Sequence, residues 1–227
     1  DNRGKEEHYI KARFCVSKYW LNEIRNIKRY LGKEPLSVLD IGCRTGDYLM
    51  HWPENIERVG VELSKESAAV AESRGLNIIN DFVENVTFKK KFDVVTCYAI
   101  LEHLSEPLAF LNKINLLVNY GGLLVVMVPS YECIKVKILD NLNVRWHMYS
   151  PPEHLNYYSR KFLDGYFCNN GFTLEKRIFT SGGMFNPFRS IPLIGRIVGR
   201  LMWYLDTYSI IHNFACFDHI YSYYKKQ

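Results

Sequence analysis

Two carboxylates and a glycine loop stand at a spacing that suits a nucleoside ligand. Val38 to Leu49 reads Val-Leu-Asp-Ile-Gly-Cys-Arg-Thr-Gly-Asp-Tyr-Leu, an apolar strand that reaches Asp40 and runs into a loop with glycines at 42 and 46. Twenty-two residues beyond Asp40, a second apolar run, Arg58-Val59-Gly60-Val61, ends in Glu62. A βαβ unit places a carboxylate at that point against a ribose diol, and glycines let the loop turn tightly and approach a ligand where a Cβ would intrude. Two acids at this separation form a more specific signal than a glycine pattern alone.

These residues resemble the class I S-adenosylmethionine-dependent methyltransferases, and the resemblance continues in order downstream. Phe92 to Pro107 (Phe-Asp-Val-Val-Thr-Cys-Tyr-Ala-Ile-Leu-Glu-His-Leu-Ser-Glu-Pro) is similar to that family's fourth strand and following loop, and Tyr120 to Ser130 to its fifth. The resemblance implies S-adenosyl-L-methionine as cofactor. Glu62 would accept both ribose hydroxyls, with Leu63 on the adenine face, and Asp40 would orient the glycine loop and the ammonium end. Asp81 and Phe82 would contact the adenine, and Thr96, Cys97 and Tyr98 would lie near the transferable methyl. Gly42, Cys43, Arg44 and Gly46 would form the cofactor loop. The family usually has glycine where this chain has Arg44, which either clamps the methionine carboxylate or crowds the loop.

Acceptor chemistry falls to two further stretches. The loop after strand four lacks the Asn/Asp-Pro-Pro-aromatic sequence of enzymes that methylate adenine or glutamine amino groups. Leu101-Glu102-His103-Leu104 instead resembles branches acting on small molecules, quinone-type and sugar-type acceptors included. Trp146-His147 and Pro151-Pro152-Glu153-His154-Leu155-Asn156-Tyr157-Tyr158-Ser159 lie where the family inserts substrate-binding loops, and resemble enzymes of glycan and surface-polysaccharide biosynthesis. A hydroxyl reacts poorly until a base takes its proton, and a neutral imidazole suits that task near pH 7. His154 is the first candidate base, with Glu153 as orienting partner, and His103 the second. The competing reading of each is a histidine bonded to backbone at a loop corner. No clustered Asp/Asn set suggests a divalent ion, so no metal is expected.

The elements that must position these groups follow from periodicity. Leu36–Ile41, Ile56–Val61, Leu76–Ile79, Phe92–Cys97 and Leu123–Val128 are short apolar runs, with helical stretches expected at 45–52, 64–74 and 106–118. That alternation specifies a parallel sheet with helices on both faces. Gly171–Thr180 and Phe217–Lys225 would complete an α/β fold: a seven-stranded, mostly parallel, doubly wound sheet with a C-terminal antiparallel strand and a helical insertion. A single domain over 1–227 is expected. It comprises an N-terminal helical flank (1–35), a cofactor-binding core (36–130), acceptor-side loops and helix (131–170) and an apolar insertion (181–215). Within the flank, residues 8–31 carry apolar side chains at helical spacing and would cover the cofactor edge. The insertion sets Phe185, Phe188, Ile191, Leu193, Ile194, Trp203 and other apolar residues among Arg189, Arg196 and Arg200. Segment 185–205 reads first as a lid or a homodimer interface, and second as a peripheral membrane contact.

Composition narrows the classes. With 227 residues, 48% hydrophobic and 23% charged, the chain has the makeup of a soluble globular domain. A net charge of +5 is too small to argue for nucleic acid. Six scattered cysteines, without metal or redox spacing, suggest free thiols in a reducing compartment. A cytoplasmic location, or one peripheral to a membrane, is expected. The partner expected is a small-molecule or glycan acceptor. An acceptor of quinone or lipid type at a membrane surface is the alternative, as is a non-catalytic cofactor-binding protein, motivated by Arg44 and the insertion. A nicotinamide-dependent oxidoreductase would also suit Glu62, but Asp40 before the glycines and the missing third glycine argue against it.

Overall fold

The computed structural model describes residues 13–180, 197 and 219–227. Helix α1 (Arg13–Leu31) precedes β1 (Ser37–Ile41), β2 (Glu57–Val61), α2 (Lys65–Ser73), β3 (Asn77–Ile79), β4 (Phe92–Tyr98) and α3 (Pro107–Leu117). There follow β5 (Val118–Pro129), α4 (Ile134–Asn141), α5 (Arg160–Asn169), β6 (Phe172–Thr180) and β7 (His219–Lys226). The strands form one seven-stranded sheet in the order β3-β2-β1-β4-β5-β7-β6. The pairings from β3 to β5 are parallel, and β7 runs antiparallel to both β5 and β6.

Every residue of β1 is buried, which requires cover on both faces of the sheet. Successive side chains serve opposite faces. Leu39 and Ile41 join Phe110 and Ile114 of α3 and Phe167 of α5, whereas Val38 joins Ile24 and Ile27 of α1 with Leu49 and Trp52. Chain order reverses between β1 and β4, so the loops at their carboxyl ends diverge and leave a crevice. Among the described residues, no helix is long and apolar enough to cross a membrane.

The helix expected at 45–52 is absent; only a single 3-10 turn forms, at Leu49–His51. Arg44 and Gly46 lie at φ 51° and 76°, in the left-handed region, and Trp52, ahead of Pro53, is extended at φ −78° and ψ 142°. Left-handed residues cannot start a right-handed helix, and a following proline disfavours helical backbone, so the segment is closed at both ends. The helices expected at 64–74 and 106–118 form at Lys65–Ser73 and Pro107–Leu117, the former capped by Ser64, whose hydroxyl accepts from the Ser67 amide. Helix α4 had no periodic signal. Strand β5 begins earlier than expected because the chain around Gly121 and Gly122 pairs Val118 with Phe92 across a bulge. Residues 1–12 of the N-terminal flank and the apolar insertion lie outside the described residues, apart from Ile197.

Asp40 lies inside this sheet, 4% exposed, with Gly60 and Thr96 as its neighbours in register. Burial pushes its carboxyl up to about 7 from 3.8; the Thr96 hydroxyl, donating to Oδ1 at 2.7 Å, opposes the rise, and the charge of Glu62 adds to it. A raised acid favours the protonated fold, so its contribution is full below the unfolded value and is lost as pH rises through the folded one. Urea denaturation should therefore show the wild type losing up to a few kcal/mol, relative to Asp40→Asn, between about pH 4 and pH 8. A difference between the two proteins that does not change with pH would contradict this.

Candidate active site

The loop after β1 is pinned to the end of β2. The amides of Gly42 and Cys43 donate to the Val61 carbonyl at 2.8 and 3.2 Å, and the Gly46 amide donates to the Cys43 carbonyl at 2.9 Å. A Cβ on Gly42 would stand 2.3 Å from Ile100 Cδ1, and one on Gly46 2.2 Å from Leu76 Cδ1. Both glycines also have positive φ. The loop thus needs them for its own packing, and of the pair Gly42 borders the cleft.

Glu62 closes the arrangement. Its Oε2 accepts from the Arg44 amide and its Oε1 from the Ser64 amide, each at 2.8 Å. Each oxygen keeps lone-pair capacity for a further donor. The carboxylate lines a cleft of about 560 Å³ together with Leu63, Asp81, Phe82 and Tyr98. Leu63 and Phe82 are 54% and 57% exposed, so two apolar surfaces flank the acids. Asp81 Oδ1 accepts from the Phe82 amide at 2.6 Å and from Asn85 Nδ2 at 2.9 Å. Asn80 was not anticipated: its Nδ2 donates to the carbonyls of Glu62 and Leu63 at 2.7 and 3.0 Å and joins the ends of β2 and β3.

Four residues expected at the cofactor are buried in this structure. Asp40 and Thr96 bond to each other inside the sheet. Cys97 is fully buried, and Cys43 is 5% exposed with its Sγ against Gly60. Burial pushes both thiols above their usual range. Arg44, by contrast, borders the cleft and is exposed. Tyr98 borders it too, and its hydroxyl donates to Glu23 of α1 at 3.1 Å, so the N-terminal helix braces the cleft floor.

The two acceptor stretches meet. The Glu102 carbonyl accepts from the amides of Leu155 and Asn156 at 2.7 and 3.0 Å, Asn156 Nδ2 donates to the Leu104 carbonyl at 2.5 Å, and the Tyr158 hydroxyl donates to the Leu101 carbonyl at 3.0 Å. His103 and His154 consequently stack edge to face with ring centres 4.9 Å apart. His154 Nδ1 is 2.8 Å from the Met148 carbonyl and His103 Nδ1 is 2.6 Å from the Glu153 carbonyl. A carbonyl only accepts, so each Nδ1 carries the proton and each Nε2 presents a lone pair. The orienting group for His154 is therefore Met148, not the Glu153 carboxylate, which is exposed at the loop corner. Burial holds the His154 imidazole below its usual range; the Met148 bond works against this, and the nearby His103 adds to it. His103 borders the cleft. Trp146, fully buried with Cys133 and Val136, packs this loop and does no chemistry.

Glu102, His103 and His154 present ligand-type atoms within 4.8 Å of one another. Sequence separation hid that grouping, because it depends on backbone bonds between segments about 50 residues apart.

Comparison with known proteins agrees with this geometry. A family model described as a methyltransferase domain matches residues 8–177. The chain belongs to that family. Its cofactor is S-adenosylmethionine. An uncharacterized protein of Methanocaldococcus jannaschii is 27% identical over 136 residues, 60% of this chain and 64% of the relative. A ubiquinone biosynthesis O-methyltransferase of Actinobacillus pleuropneumoniae is 34% identical over 102 residues, 38% of this chain and 43% of the relative. The chain spans between two fifths and two thirds of these relatives' lengths. Among solved structures, the plantazolicin methyltransferase BamL, in complex with a triazolic desmethylPZN analog and SAH, superposes with a TM-score of 0.65 at 16% identity, covering 100% of this chain and 91% of that one; this likeness speaks to fold.

The cleft residues fit such a nucleoside: a carboxylate preset by two amides, a second acid, and two exposed apolar side chains. Glu62→Ala should weaken binding of S-adenosylhomocysteine by about 1.5 to 3 kcal/mol in titration calorimetry, the range for hydrogen bonds to a charged group. An unchanged affinity would remove Glu62 from the site.

Proposed function

We propose that this methyltransferase acts on a hydroxyl of a small-molecule or carbohydrate acceptor, with His154 as the proton acceptor. The observation that carries the reading is the pair of tautomer-fixed histidines, of which His103 lines the cleft and His154 packs against it. S-adenosylmethionine, when bound, supplies an electrophilic methyl on a positive sulfonium. The chain's own work is to hold donor and acceptor in line at about 3 to 3.5 Å and to exclude water. Glu62 takes the ribose, and Asp81 with Phe82 and Leu63 takes the adenine. Arg44 holds the methionine carboxylate from the rim of the loop.

Arg44 occupies left-handed backbone that favours glycine, which separates two effects of one substitution. Arg44→Gly should raise the melting temperature by relieving about 1 kcal/mol of backbone strain, yet weaken S-adenosylhomocysteine, with a loss that shrinks as salt rises. Tighter binding by the glycine variant would show that the arginine obstructs the loop.

His154 holds its imidazole neutral near pH 7, which leaves Nε2 free to take a hydroxyl proton. Its partner His103, 4.9 Å away, disfavours a second charge and stands as the alternative base. A quinone-type or lipid acceptor at a membrane surface is the second reading, favoured by the relative named for ubiquinone biosynthesis.

The test is transfer of labelled methyl to a panel of catechols, quinols and glycosides. With the acceptor so found, kcat/KM should rise with pH to a plateau, with a midpoint below 6.5, the ordinary histidine value. His154→Ala should lower turnover by about two to four orders of magnitude while sparing cofactor affinity. Methylation only of nitrogen or carbon, or a normal rate in that variant, would overturn the proposal.

A further inference from the structure

Glu102 is the one member of the histidine cluster that the proton-transfer reading leaves without a task. It is 1% exposed, and its Oε2 is buried with no hydrogen-bond partner among the described residues. A buried carboxylate oxygen out of water and without a donor is costly unless the group is neutralised or that oxygen meets a cation. Neither cluster histidine bonds to it: their Nδ1 protons go to the carbonyls of Met148 and Glu153, and no ion pair within 4.0 Å joins either ring to Glu102 among the described residues.

From one carboxylate oxygen of Glu102 and one ring nitrogen of each histidine, all within 4.8 Å of one another, and from the Nε2 lone pairs that the Nδ1 bonds leave over, we infer a divalent-cation site of two histidines and one carboxylate beside the cofactor cleft. Three features suit an ion. The ring Nδ1–H groups bonded to backbone carbonyls fix the tautomer that offers Nε2, the arrangement usual behind metal-bound histidines. Two imidazoles with one carboxylate match zinc and other first-row ions more than magnesium or calcium. The three groups sit on two short segments locked by the Glu102, Leu104 and Leu101 backbone bonds, so the ligands are held before the ion arrives. His219, at the start of β7, is in electrostatic contact with both Glu102 and His154 and bounds the cluster on that side.

The site deepens the hydroxyl-acceptor reading and rests on it only for its use in catalysis. His103 borders the cleft, so an open coordination position would face the acceptor. A hydroxyl oxygen bound there loses its proton to solvent water at a lower pH, its oxygen forms the new bond to the methyl carbon, and the carbon–sulfur bond breaks to leave a neutral thioether. Proton uptake by His154 then belongs to the metal-free protein, because the ion takes the same lone pair.

The experiment is calorimetry of the chelator-stripped full chain with Zn2+, together with visible absorption on titration with Co2+. One equivalent of each should bind, Co2+ with d–d bands of a low-coordinate nitrogen–oxygen site. Glu102→Gln, His103→Ala and His154→Ala should each weaken Zn2+ by at least about tenfold. Melting in chelator shows whether the buried Glu102 variant is folded; if it is not, the exposed His103 variant decides. No saturable binding of either ion, or wild-type affinity in the deciding variant, overturns the site. Affinity for S-adenosylhomocysteine in chelator is read separately, so a failed metal site and a failed cofactor site are distinguishable.

Discussion

The carboxylate of Glu62, gripped by two backbone amides, is the interaction on which the cofactor side depends. One amide belongs to Arg44 in the loop after β1 and the other to Ser64 at the cap of α2. A single side chain therefore joins the glycine loop, the end of β2 and the start of a helix. Charge-assisted bonds of this kind are short and directional, and they cost little entropy because the donors are already fixed by the sheet and the helix cap. The same bonds fill one lone pair on each oxygen and leave capacity for a further donor. On the proposed reading, structure and binding use one group, so neither can be altered alone.

Beneath that clamp the sheet carries a second, hidden acid. Asp40 and Thr96 satisfy each other in the interior, with Gly60 alongside to leave room for Cys43. On the other side, Tyr98 rests on Glu23 from the N-terminal helix, which also accepts from Tyr223 at 2.7 Å. The cleft is thus braced from three directions: the loop, the sheet and α1. A rigid floor of this kind suits a reaction whose barrier falls mainly through alignment.

The strands were legible because apolar runs bounded by polar residues have few other uses, and the spacing of Asp40 to Glu62 marked the cleft because the crossover from β1 to the parallel β2 sets the carboxyl ends of both strands side by side. Helix 45–52 misled because its apolar spacing carries no information about left-handed backbone at Arg44 and Gly46. Thr96 and Cys97 were placed at the methyl by strand-end position; in the structure both are buried, with side chains on opposite faces of the sheet. The acceptor side was least readable. Its histidines were singled out one by one, whereas their meeting with Glu102 depends on backbone carbonyls as acceptors, and those have no sequence signature. The reading against a metal looked for clustered Asp and Asn, whereas the grouping of Glu102 with His103 and His154 joins two distant segments.

The central claim, that Glu62 in its amide clamp receives the ribose, is tested most directly by a crystal structure of this chain with S-adenosylhomocysteine. The account predicts both ribose hydroxyls within hydrogen-bond distance of the Glu62 oxygens, the Arg44 and Ser64 amide bonds intact, and the adenine between Leu63 and Phe82 beside Asp81. A ribose bound elsewhere, or a Glu62 carboxylate that leaves its amides to reach it, would contradict the account.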